Sequence, residues 1–392
     1  MKNKLKKKVF FYNGSLRMGG IERVMVDVLE SIDLEKFDID LVIEDGIRSL
    51  NVFEQHIPDK IKIIYLKSEE LIKETKKYRE RKTNIFYKLL YNLRMNYENY
   101  IKKKTLKKIG KKEYDIVIDF DMGLSKYIDL IKAKKKIVWI HASLPNWYDR
   151  EDRLKRLGRR LKKYDTIVTI CDEMKEETIK LYPYLKDKIV RVYNPISFER
   201  IRAFANKDVK PYMPLINEKY IVSVMRLTEK QKDFDTLIKA WAELINRGIR
   251  IKLLILGDGP DKQIIQDKID LAGLNSVIVL MGNVENPYVW IKHSQMLVHS
   301  SKYEGFGLVL VEGLVLGKWV ISSACEVGPA EILENGKLGD LYHVGDYEEL
   351  ANLVMKRLNT KKLDTDFIEK KIEKYSKEVV LLEYCKLMLE VE

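Results

Sequence analysis

Residues Ser301 to Gly313 read SKYEGFGLVLVEG, and this stretch carries most of the information about fold and function. An apolar run at 295–299 precedes it and predicts a buried strand, while residues 307–316 have the composition of a helix. Glu304 therefore lies at a strand-to-helix junction. The glycines at 305 and 307 allow a ligand to approach the backbone closely, and the free amides and positive dipole end of the helix attract a phosphate. The junction predicts an anion-binding site.

The junction carries two carboxylates, Glu304 in its turn and Glu312 eight residues later. At about 1.5 Å per helical residue this separation reaches about 12 Å, which exceeds the roughly 5 to 9.5 Å between the paired carboxylates of glycosidases. A shared acid/base pair is therefore not favoured. We interpret the two side chains as contacts to opposite ends of one elongated ligand, with Glu304 at a sugar ring, Glu312 at a ribose diol and a diphosphate on the amides between them.

The length and composition of the chain indicate two ordinary globular domains, since 392 residues of which 46% are hydrophobic exceed a single core. The cysteines Cys171, Cys325 and Cys385 are far apart and form no C-x-x-C motif, which argues against a disulfide framework or a thiolate zinc site and fits a reducing cytosol. The basic start of the chain continues into a strand-like run, which argues against a signal peptide. No run approaches the roughly 20 apolar residues of a membrane-spanning helix.

The net charge of +13 is concentrated in one segment. Residues 73–112 hold fifteen Lys and Arg against three Asp and Glu, a difference of +12, with aromatic and leucine side chains between them. A second basic run, 150–163, carries leucines 154, 157 and 161 at helical spacing. Basic amphipathic helices bind anionic membrane surfaces, which predicts a peripheral membrane protein, with solvated surface helices as the alternative. No RNA- or DNA-binding motif accompanies the charge, so we expect no nucleic-acid partner.

Short β-branched runs alternate with amphipathic segments along the chain, a pattern typical of α/β folds. Seven predicted strands come first and six follow, separated by a looser segment at 206–218 that contains two prolines. This pattern predicts two doubly wound parallel sheets with a cleft between them and ligands beyond the carboxyl ends of the strands. The predicted strands are Val9–Asn13, Ile39–Ile43, Ile61–Tyr65, Ile116–Phe120, Ile137–His141, Thr166–Ile170, Ile189–Tyr193, Tyr220–Met225, Ile251–Gly257, Val277–Met281, Met296–His299, Trp319–Ser322 and Asp340–Tyr342.

Five motifs follow one another in a specific order along the chain. They are Gly19-Gly20-Ile-Glu-Arg23, the segment Arg226 to Lys232, Gly257-Asp-Gly-Pro260, Glu304-Gly-Phe-Gly with Glu312-Gly, and Gly328-Pro-Ala-Glu331. Together they resemble the retaining, nucleotide-sugar-dependent glycosyltransferases of the GT-B fold, family 4, also called glycosyl transferases group 1. The resemblance covers nearly the whole chain. It implies an α/β GT-B fold of two Rossmann-like, doubly wound parallel-sheet domains facing a cleft.

The resemblance also implies a role for each domain. Residues 1–200 would form the acceptor-binding domain, in which the charge pattern adds the basic, membrane-facing helices, and residues 201–375 would form the nucleotide-sugar-binding domain. Residues 376–392 would form a helix that crosses back to the first domain.

The catalytic residues that the resemblance implies are Glu304, Arg226, Lys232 and His141. Arg226 and Lys232 would hold the diphosphate leaving group and stabilise its developing charge. They are spaced one residue more widely than in the common family pattern, so Lys230 remains an alternative to Lys232. His141 ends a predicted strand and would lie near the donor sugar and the acceptor, although a histidine at a strand end can also be purely structural.

The donor-binding residues that the resemblance implies lie on glycine-rich turns and in the helix that follows one of them. They are Gly19, Gly20, Gly257, Gly305, Phe306, Gly307, Leu308 and Glu312. Gly257 and Gly259 do not complete a dinucleotide fingerprint, because Lys262 occupies the third glycine position. Residues 14–20 fail it too and lack the Lys-Ser/Thr of a P-loop. These absences argue against a dehydrogenase and an NTPase. A simple tight turn remains the alternative at Gly19 and Gly20.

Asp119 and Asp121 form a D-x-D motif, which binds a metal ion in the other major glycosyltransferase fold. Mg²⁺ or Mn²⁺ held by a few carboxylate oxygens and substrate phosphates is chemically compatible with it. Here, however, cationic side chains and a helix terminus already supply positive charge to the diphosphate. We therefore expect no metal cofactor and assign Asp121 to the acceptor side.

The sequence thus predicts a retaining glycosyltransferase that moves a sugar from a UDP-sugar to a hydroxyl of a growing, lipid-linked cell-surface glycan. Such an enzyme would be cytoplasmic and peripheral on the inner face of the cell membrane. Two alternatives stay open. One is a sugar-nucleotide epimerase on the same fold, which would turn over the donor without an acceptor. The other is a non-catalytic partner subunit, which would bind the donor without transferring it.

Overall fold

The structure, a computed structural model, describes residues 6–81, 83–148, 150–208, 218–360 and 364–390. The chain divides into two compact units. The N-terminal unit consists of Met1–Ile170, Lys175–Pro195 and Glu378–Glu392, and the C-terminal unit consists of Cys171–Met174 and Ile196–Lys377. The looser segment predicted at 206–218 lies mostly outside the described residues.

Each of the thirteen strands predicted from β-branched runs is present within the described ranges. The strands are β1 Lys7–Asn13, β2 Phe37–Ile43, β3 Lys62–Tyr65, β4 Glu113–Asp119, β5 Lys132–Ile140, β6 Thr166–Thr169, β7 Ile189–Arg191, β8 Tyr220–Val224, β9 Lys252–Leu256, β10 Ile278–Gly282, β11 Met296–His299, β12 Trp319–Ser323 and β13 Asp340–Tyr342. The first seven form a parallel sheet in the order β3-β2-β1-β4-β5-β6-β7, and the other six form a parallel sheet in the order β10-β9-β8-β11-β12-β13.

Helices connect the strands, as parallel neighbours require. The α-helices of the described residues are α1 Gly20–Ser31, α2 Glu69–Glu80, α3 Ile85–Ile109, α4 Leu144–Trp147, α5 Glu151–Leu161, α6 Asp172–Leu181, α7 Phe198–Ala205, α8 Phe234–Asn246, α9 Lys262–Leu271, α10 Pro287–His293, α11 Leu308–Val315, α12 Pro329–Ile332, α13 Tyr347–Leu358, α14 Thr365–Ile372 and α15 Lys377–Leu389. Within the described ranges, none of these helices combines the length and the apolar character needed to cross a bilayer.

The order of the strands reverses at one place in each sheet. In the N-terminal unit β1 lies between β2 and β4, and in the C-terminal unit β8 lies between β9 and β11. Loops that leave such neighbouring strands in opposite directions open a crevice at the carboxyl edge, where α/β proteins bind ligands. Asp121 follows β4 at this edge of the first sheet. Arg226 and Glu304 follow β8 and β11 at this edge of the second.

Aromatic side chains form a continuous layer in the core of the N-terminal unit. The Phe120 ring lies 5.7 Å from the Trp139 ring, and the Trp139 ring stacks on Tyr384 of α15 at 5.2 Å, with both centroid distances in the range of favourable aromatic pairs. Lys7 and Lys135 donate hydrogen bonds to the carbonyl groups of Leu389 and Leu387 near the end of α15, each at 2.9 Å. The last helix therefore packs on the first sheet.

A buried ion network attaches α3 to the carboxyl ends of β1 and β2. The Lys102 ammonium lies 2.5 Å from a carboxylate oxygen of Glu44 and 3.2 Å from the Tyr12 hydroxyl. Lys67 bridges Glu44 at 2.8 Å and Glu98 at 3.0 Å. Burial disfavours the ionised form of Glu44, but Lys102 and Lys67 outweigh this effect and lower the pKa of Glu44 to about 2.

Two details of the predicted basic helices are wrong. Lys102, expected on a membrane-facing surface, is only 4% exposed because its ammonium turns inward to Glu44. In α5, which forms the second basic run, Leu157 and Leu161 are buried in the N-terminal unit. The apolar face of α5 is therefore used in the core and is not free to enter a membrane.

Lys102→Met should lower the free energy of unfolding by about 3 kcal/mol, because it removes one member of a buried ion pair and leaves Glu44 with a single cationic partner. Lys103→Met is the matched control, since it removes the same charge from the exposed neighbour on α3. Urea unfolding at neutral pH measures both variants. Equal small losses in the two would show that the buried network contributes nothing.

Candidate active site

The predicted strand–turn–helix junction is confirmed. Strand β11 ends at His299 and α11 begins at Leu308. Gly307 caps the helix in the left-handed region, with φ at 92° and ψ at 52°, a conformation that favours glycine. Phe306 is buried and its ring packs 5.4 Å from the Tyr375 ring, so this predicted donor residue holds the turn in place from the core side.

The Glu304 carboxylate is the centre of a buried polar cluster. Its Oε1 atom pairs with the Lys232 ammonium, accepts a hydrogen bond from the Ser301 hydroxyl at 2.7 Å and lies 2.9 Å from Nε2 of His299. Glu304 is 7% exposed and Lys232 is also 7% exposed. The backbone brings them together, because a β-bridge joins Lys232 to Ser301 and the Lys302 amide donates to the carbonyl of Gln231 at 2.8 Å.

The charges of this cluster follow from its burial. Burial alone would raise the pKa of Glu304, but Lys232 and the hydrogen bond from His299 outweigh it and hold that pKa well below its ordinary value. Burial and the Lys232 charge lower the pKa of His299, so its ring is neutral. Because a carboxylate only accepts, Nε2 of His299 carries the proton. Its Nδ1 atom is buried without a hydrogen-bond partner among the described residues.

His299 and Ser301 are functional candidates that sequence reasoning missed. His299 is the last residue of β11, where it reads as an ordinary buried strand residue, and Ser301 lies two residues beyond the strand. The available signal was their position five and three residues before Glu304, at the approach to a turn already assigned to a ligand. Only the pairing of β8 with β11 brings Lys232 to the same atoms.

The structure separates the two candidate lysines. Lys232 is joined to Glu304, while Lys230 is exposed on the same loop. Arg226 lies two residues after the end of β8 and is exposed, and its guanidinium makes no ion pair with any residue that the structure describes. The loop therefore offers one buried lysine and one unpaired arginine at the carboxyl edge of the sheet.

Gly257 supports the loop that carries Arg226. A Cβ atom at Gly257 would collide with the carbonyl oxygen of Met225, and one at Gly259 would collide with the carbonyl of Leu227. The Met225 amide donates a hydrogen bond to the carbonyl of Leu256 at 2.9 Å, which holds the two loops close together. Close packing of two loops thus explains both glycines, and donor contact by Gly257 stays a prediction.

Glu312 lies on α11, one helical turn beyond its start. Its Oε1 atom accepts a hydrogen bond from the hydroxyl of Tyr288 on α10 at 3.2 Å, and the side chain is half-buried. Tyr288 was not predicted from the sequence. The structure thus places Glu304 and Glu312 in the same unit, on opposite sides of the turn at Gly307, with separate partners.

The remaining predicted residues lie in the N-terminal unit. Gly19 caps α1 and Gly20 is its first residue, as predicted. Asp121 accepts hydrogen bonds from the amides of Gly14 at 2.7 Å and Gly123 at 2.9 Å, and burial raises its pKa. Its motif partner Asp119 is fully buried and accepts from the Tyr164 hydroxyl at 2.5 Å. Burial and the nearby Asp121 raise the pKa of Asp119 to about 8.

His141 follows β5 beside these aspartates and is buried. Its ring centroid lies 4.6 Å from that of Phe120, and its Nε2 atom has no hydrogen-bond partner among the described residues. Burial lowers the pKa of His141 to about 3, so the ring is neutral at physiological pH. The position of His141 near the donor sugar and the acceptor stays a prediction.

Comparison with known proteins identifies the second half of the chain. Residues 210–374 match the family described as "Glycosyl transferases group 1". This match lies within the residues of the C-terminal unit. A protein of Methanocaldococcus jannaschii named as an uncharacterized glycosyltransferase is 32% identical over 171 residues, which span 43% of this chain and 42% of the relative. The chain therefore spans less than half the length of that relative.

Two longer matches cover both units of the chain. The N-acetylgalactosamine-N,N'-diacetylbacillosaminyl-diphospho-undecaprenol 4-alpha-N-acetylgalactosaminyltransferase of Campylobacter jejuni is 24% identical over 91% of this chain and 90% of its own length. The crystal structure of HepE from Anabaena in complex with UDP and glucose superposes with a TM-score of 0.77 at 15% identity, over 97% of this chain and 99% of that one. The predicted GT-B fold is thereby confirmed.

Acidification should destabilise the protein through His141. Its pKa is lowered from 6.5 to about 3, so below pH 6.5 the unfolded chain binds a proton that the folded chain excludes. The free energy of unfolding then decreases by up to about 1.4 kcal/mol for each unit by which the pH is lowered below 6.5. Urea unfolding at two pH values, one above and one below 6.5, should show a smaller loss in His141→Gln than in the unsubstituted protein. The exposed His56, changed to Gln, is the control, and equal losses in all three proteins would contradict a buried neutral His141.

Proposed function

We propose that the protein is a retaining glycosyltransferase that moves a sugar from a UDP-sugar to a hydroxyl of a growing, lipid-linked cell-surface glycan. The buried Lys232–Glu304 pair beside the turn that begins α11 is the observation that carries this proposal. Supporting it are the match to glycosyl transferases group 1, the diphospho-undecaprenol-linked substrate in the name of the Campylobacter relative, and the UDP and glucose in the HepE crystal structure.

The Lys232 ammonium has enough donors to contact Glu304 and a bound phosphate at the same time. An ammonium group has three N–H donors. Within the described residues Lys232 uses one toward Glu304 and one toward the Ser301 hydroxyl at 3.1 Å. The third donor is available for a phosphate oxygen. Lys232 would then connect the carboxylate that holds the sugar to the diphosphate that leaves it.

Glu304 has a free acceptor on its other oxygen. Its three contacts in the described structure, to Lys232, Ser301 and His299, all converge on Oε1. Oε2 remains able to accept hydrogen bonds from sugar hydroxyls. Because the pKa of Glu304 is held low, the group stays ionised at neutral pH and acts as an acceptor, and it does not deliver a proton.

Charge stabilisation would be the main catalytic contribution. Arg226, Lys232 and the first amides of α11 would stabilise the negative charge that develops on the leaving diphosphate. Loss of one such donor lowers kcat by about 10²- to 10³-fold. Glu312 would hold the ribose diol on the far side of the turn. We expect no side-chain nucleophile, and a same-side displacement assisted by the leaving phosphate would account for the proposed retention of configuration.

The N-terminal unit would bind the acceptor. Asp121 and His141 lie at the carboxyl edge of its sheet, after the adjacent strands β4 and β5. Gly19 and Gly20 at the start of α1 would approach the donor phosphate. An enzyme with a lipid-linked acceptor would work at the inner face of the cell membrane as a peripheral protein, and we expect its chemistry to need no metal ion.

Lys232→Ala should lower kcat with the correct UDP-sugar and acceptor by about 100-fold, because it removes a cation from the leaving group. Lys230→Ala is the matched control and should retain most activity, since Lys230 is exposed and does not contact Glu304. Initial-rate kinetics measure both variants. Thermal unfolding is measured in parallel, because Lys232→Ala also leaves Glu304 buried without its cation. Losses of equal size in the two variants would remove Lys232 from the mechanism.

A panel of nucleotide sugars tests the proposed reaction itself. We expect one or a few UDP-sugars to raise the melting temperature and to be consumed only when a glycan or lipid-linked glycan acceptor is present. Conversion of the donor to its epimer without an acceptor would identify an epimerase. Binding without transfer in any acceptor extract would identify a partner subunit, and either result would overturn the proposal.

A further inference from the structure

Helix α3 exposes a row of large apolar side chains to solvent. They recur every three or four residues, which places them on one side of the helix. This apolar stripe consists of Phe86 (61% exposed), Leu89 (58%), Leu93 (57%), Tyr97 (48%) and Tyr100 (57%). Ile85, at the start of the helix, adds to it and is 85% exposed. At about 1.5 Å per residue the stripe extends for about 20 Å.

The inward side of α3 explains why the stripe points outward. Glu98 and Lys102 are 5% and 4% exposed, and they belong to the ion network with Lys67 and Glu44. Rotating the helix to bury the stripe would expose this network and leave Glu44 without Lys102. Up to Lys102 the usual amphipathic arrangement is therefore inverted, with buried charges and exposed apolar groups, and only the last turns of α3 bury apolar side chains, Leu106 and Ile109. Such an exposed apolar surface indicates a binding partner.

Positive charge continues the stripe toward the end of the helix. The exposed residues after Tyr100 are lysines, namely Lys103, Lys104, Lys107 and Lys108. The acidic residue of α3, Glu98, is buried, so the outward side carries no carboxylate. Protein–protein interfaces are depleted in lysine. An apolar row with tyrosine edges that ends in lysines matches an anionic bilayer surface instead.

We propose that α3 lies flat on an anionic lipid surface, with the apolar stripe inserted at the acyl boundary and Lys103, Lys104 and Lys107 at the headgroup phosphates. The proposal rests on the proposed function in naming a lipid bilayer that also holds the acceptor. It selects α3 over α5, whose Leu157 and Leu161 are buried. Helix α3 would then also connect the membrane to the acceptor side, because Lys102 lies 3.4 Å from the carbonyl of Gly123, two residues after the acceptor-side residue Asp121.

Vesicle binding tests the stripe and the lysines separately. The triple variant Phe86→Gln, Leu89→Gln, Leu93→Gln should lower the partition coefficient onto phosphatidylglycerol/phosphatidylcholine vesicles by roughly 100-fold, because it removes the inserted apolar area. The triple variant Lys103→Gln, Lys104→Gln, Lys107→Gln should lower it by roughly 100-fold at low salt and by less at high salt. Pure phosphatidylcholine vesicles should bind all proteins weakly.

Matched controls change the same kinds of residue elsewhere. Ile264→Gln, Leu271→Gln, Leu382→Gln removes three exposed apolar side chains outside α3, and Lys62→Gln, Lys132→Gln, Lys186→Gln removes three exposed positive charges outside α3. Both should bind vesicles as the unsubstituted protein does. Equal losses in the lysine variant and its control would reduce the effect to net charge and overturn the proposal.

Three further results would overturn it. The unsubstituted protein could fail to bind anionic vesicles, the stripe variant could bind normally, or the stripe could mediate dimers in sedimentation experiments that the stripe variant abolishes. Transfer to a short, lipid-free acceptor keeps this test distinct from the proposed function. A stripe variant that loses vesicle binding but keeps this transfer supports the proposal, whereas absence of transfer in every protein refutes the function and leaves the vesicle result standing.

Discussion

The pairing of Lys232 with Glu304 is the interaction on which the candidate site depends. It places an ammonium and a carboxylate, both buried, on loops that follow β8 and β11 of the second sheet. Neither charge could remain buried alone, because desolvation of a single ion costs several kcal/mol. The pair therefore fixes both loops, and with them Arg226 on one side and the glycine turn before α11 on the other. Organisation of the anion site and stability of the two loops have the same physical origin.

The N-terminal unit uses a similar pair for a different purpose. Lys102 and Glu44 meet at the carboxyl edge of the first sheet, but Glu44 receives charge from two lysines and a hydrogen bond from the Tyr12 hydroxyl at 2.6 Å. Both of its oxygens are occupied. Glu304, in contrast, concentrates its contacts on one oxygen. A carboxylate with both oxygens occupied holds the structure together, and one with a single occupied oxygen at the same kind of sheet edge can still receive a substrate.

Much of the fold could be predicted from the sequence because its signals are local. Parallel strands buried on both sides read as β-branched runs, and Gly307 marks a left-handed cap that few other residues adopt. The inward turn of Lys102 could not be predicted, because its partners Glu44 and Tyr12 are far away in the sequence and a lysine-rich helix suggests solvent on every side. His299 and Ser301 escaped notice for the same reason, since their importance arises only where β8 and β11 lie side by side. Gly257 was interpreted as a ligand contact, although the carbonyl of Met225 already requires a glycine there.

The stacking of Tyr384 on Trp139 has a consequence for biosynthesis. The aromatic core of the N-terminal unit is completed by a helix that the ribosome makes after the whole C-terminal unit. Domains commonly fold in order as they emerge during translation. Here the core of the first sheet stays partly uncovered until residues 378–389 leave the ribosome. The second unit can therefore complete its core before the first unit does.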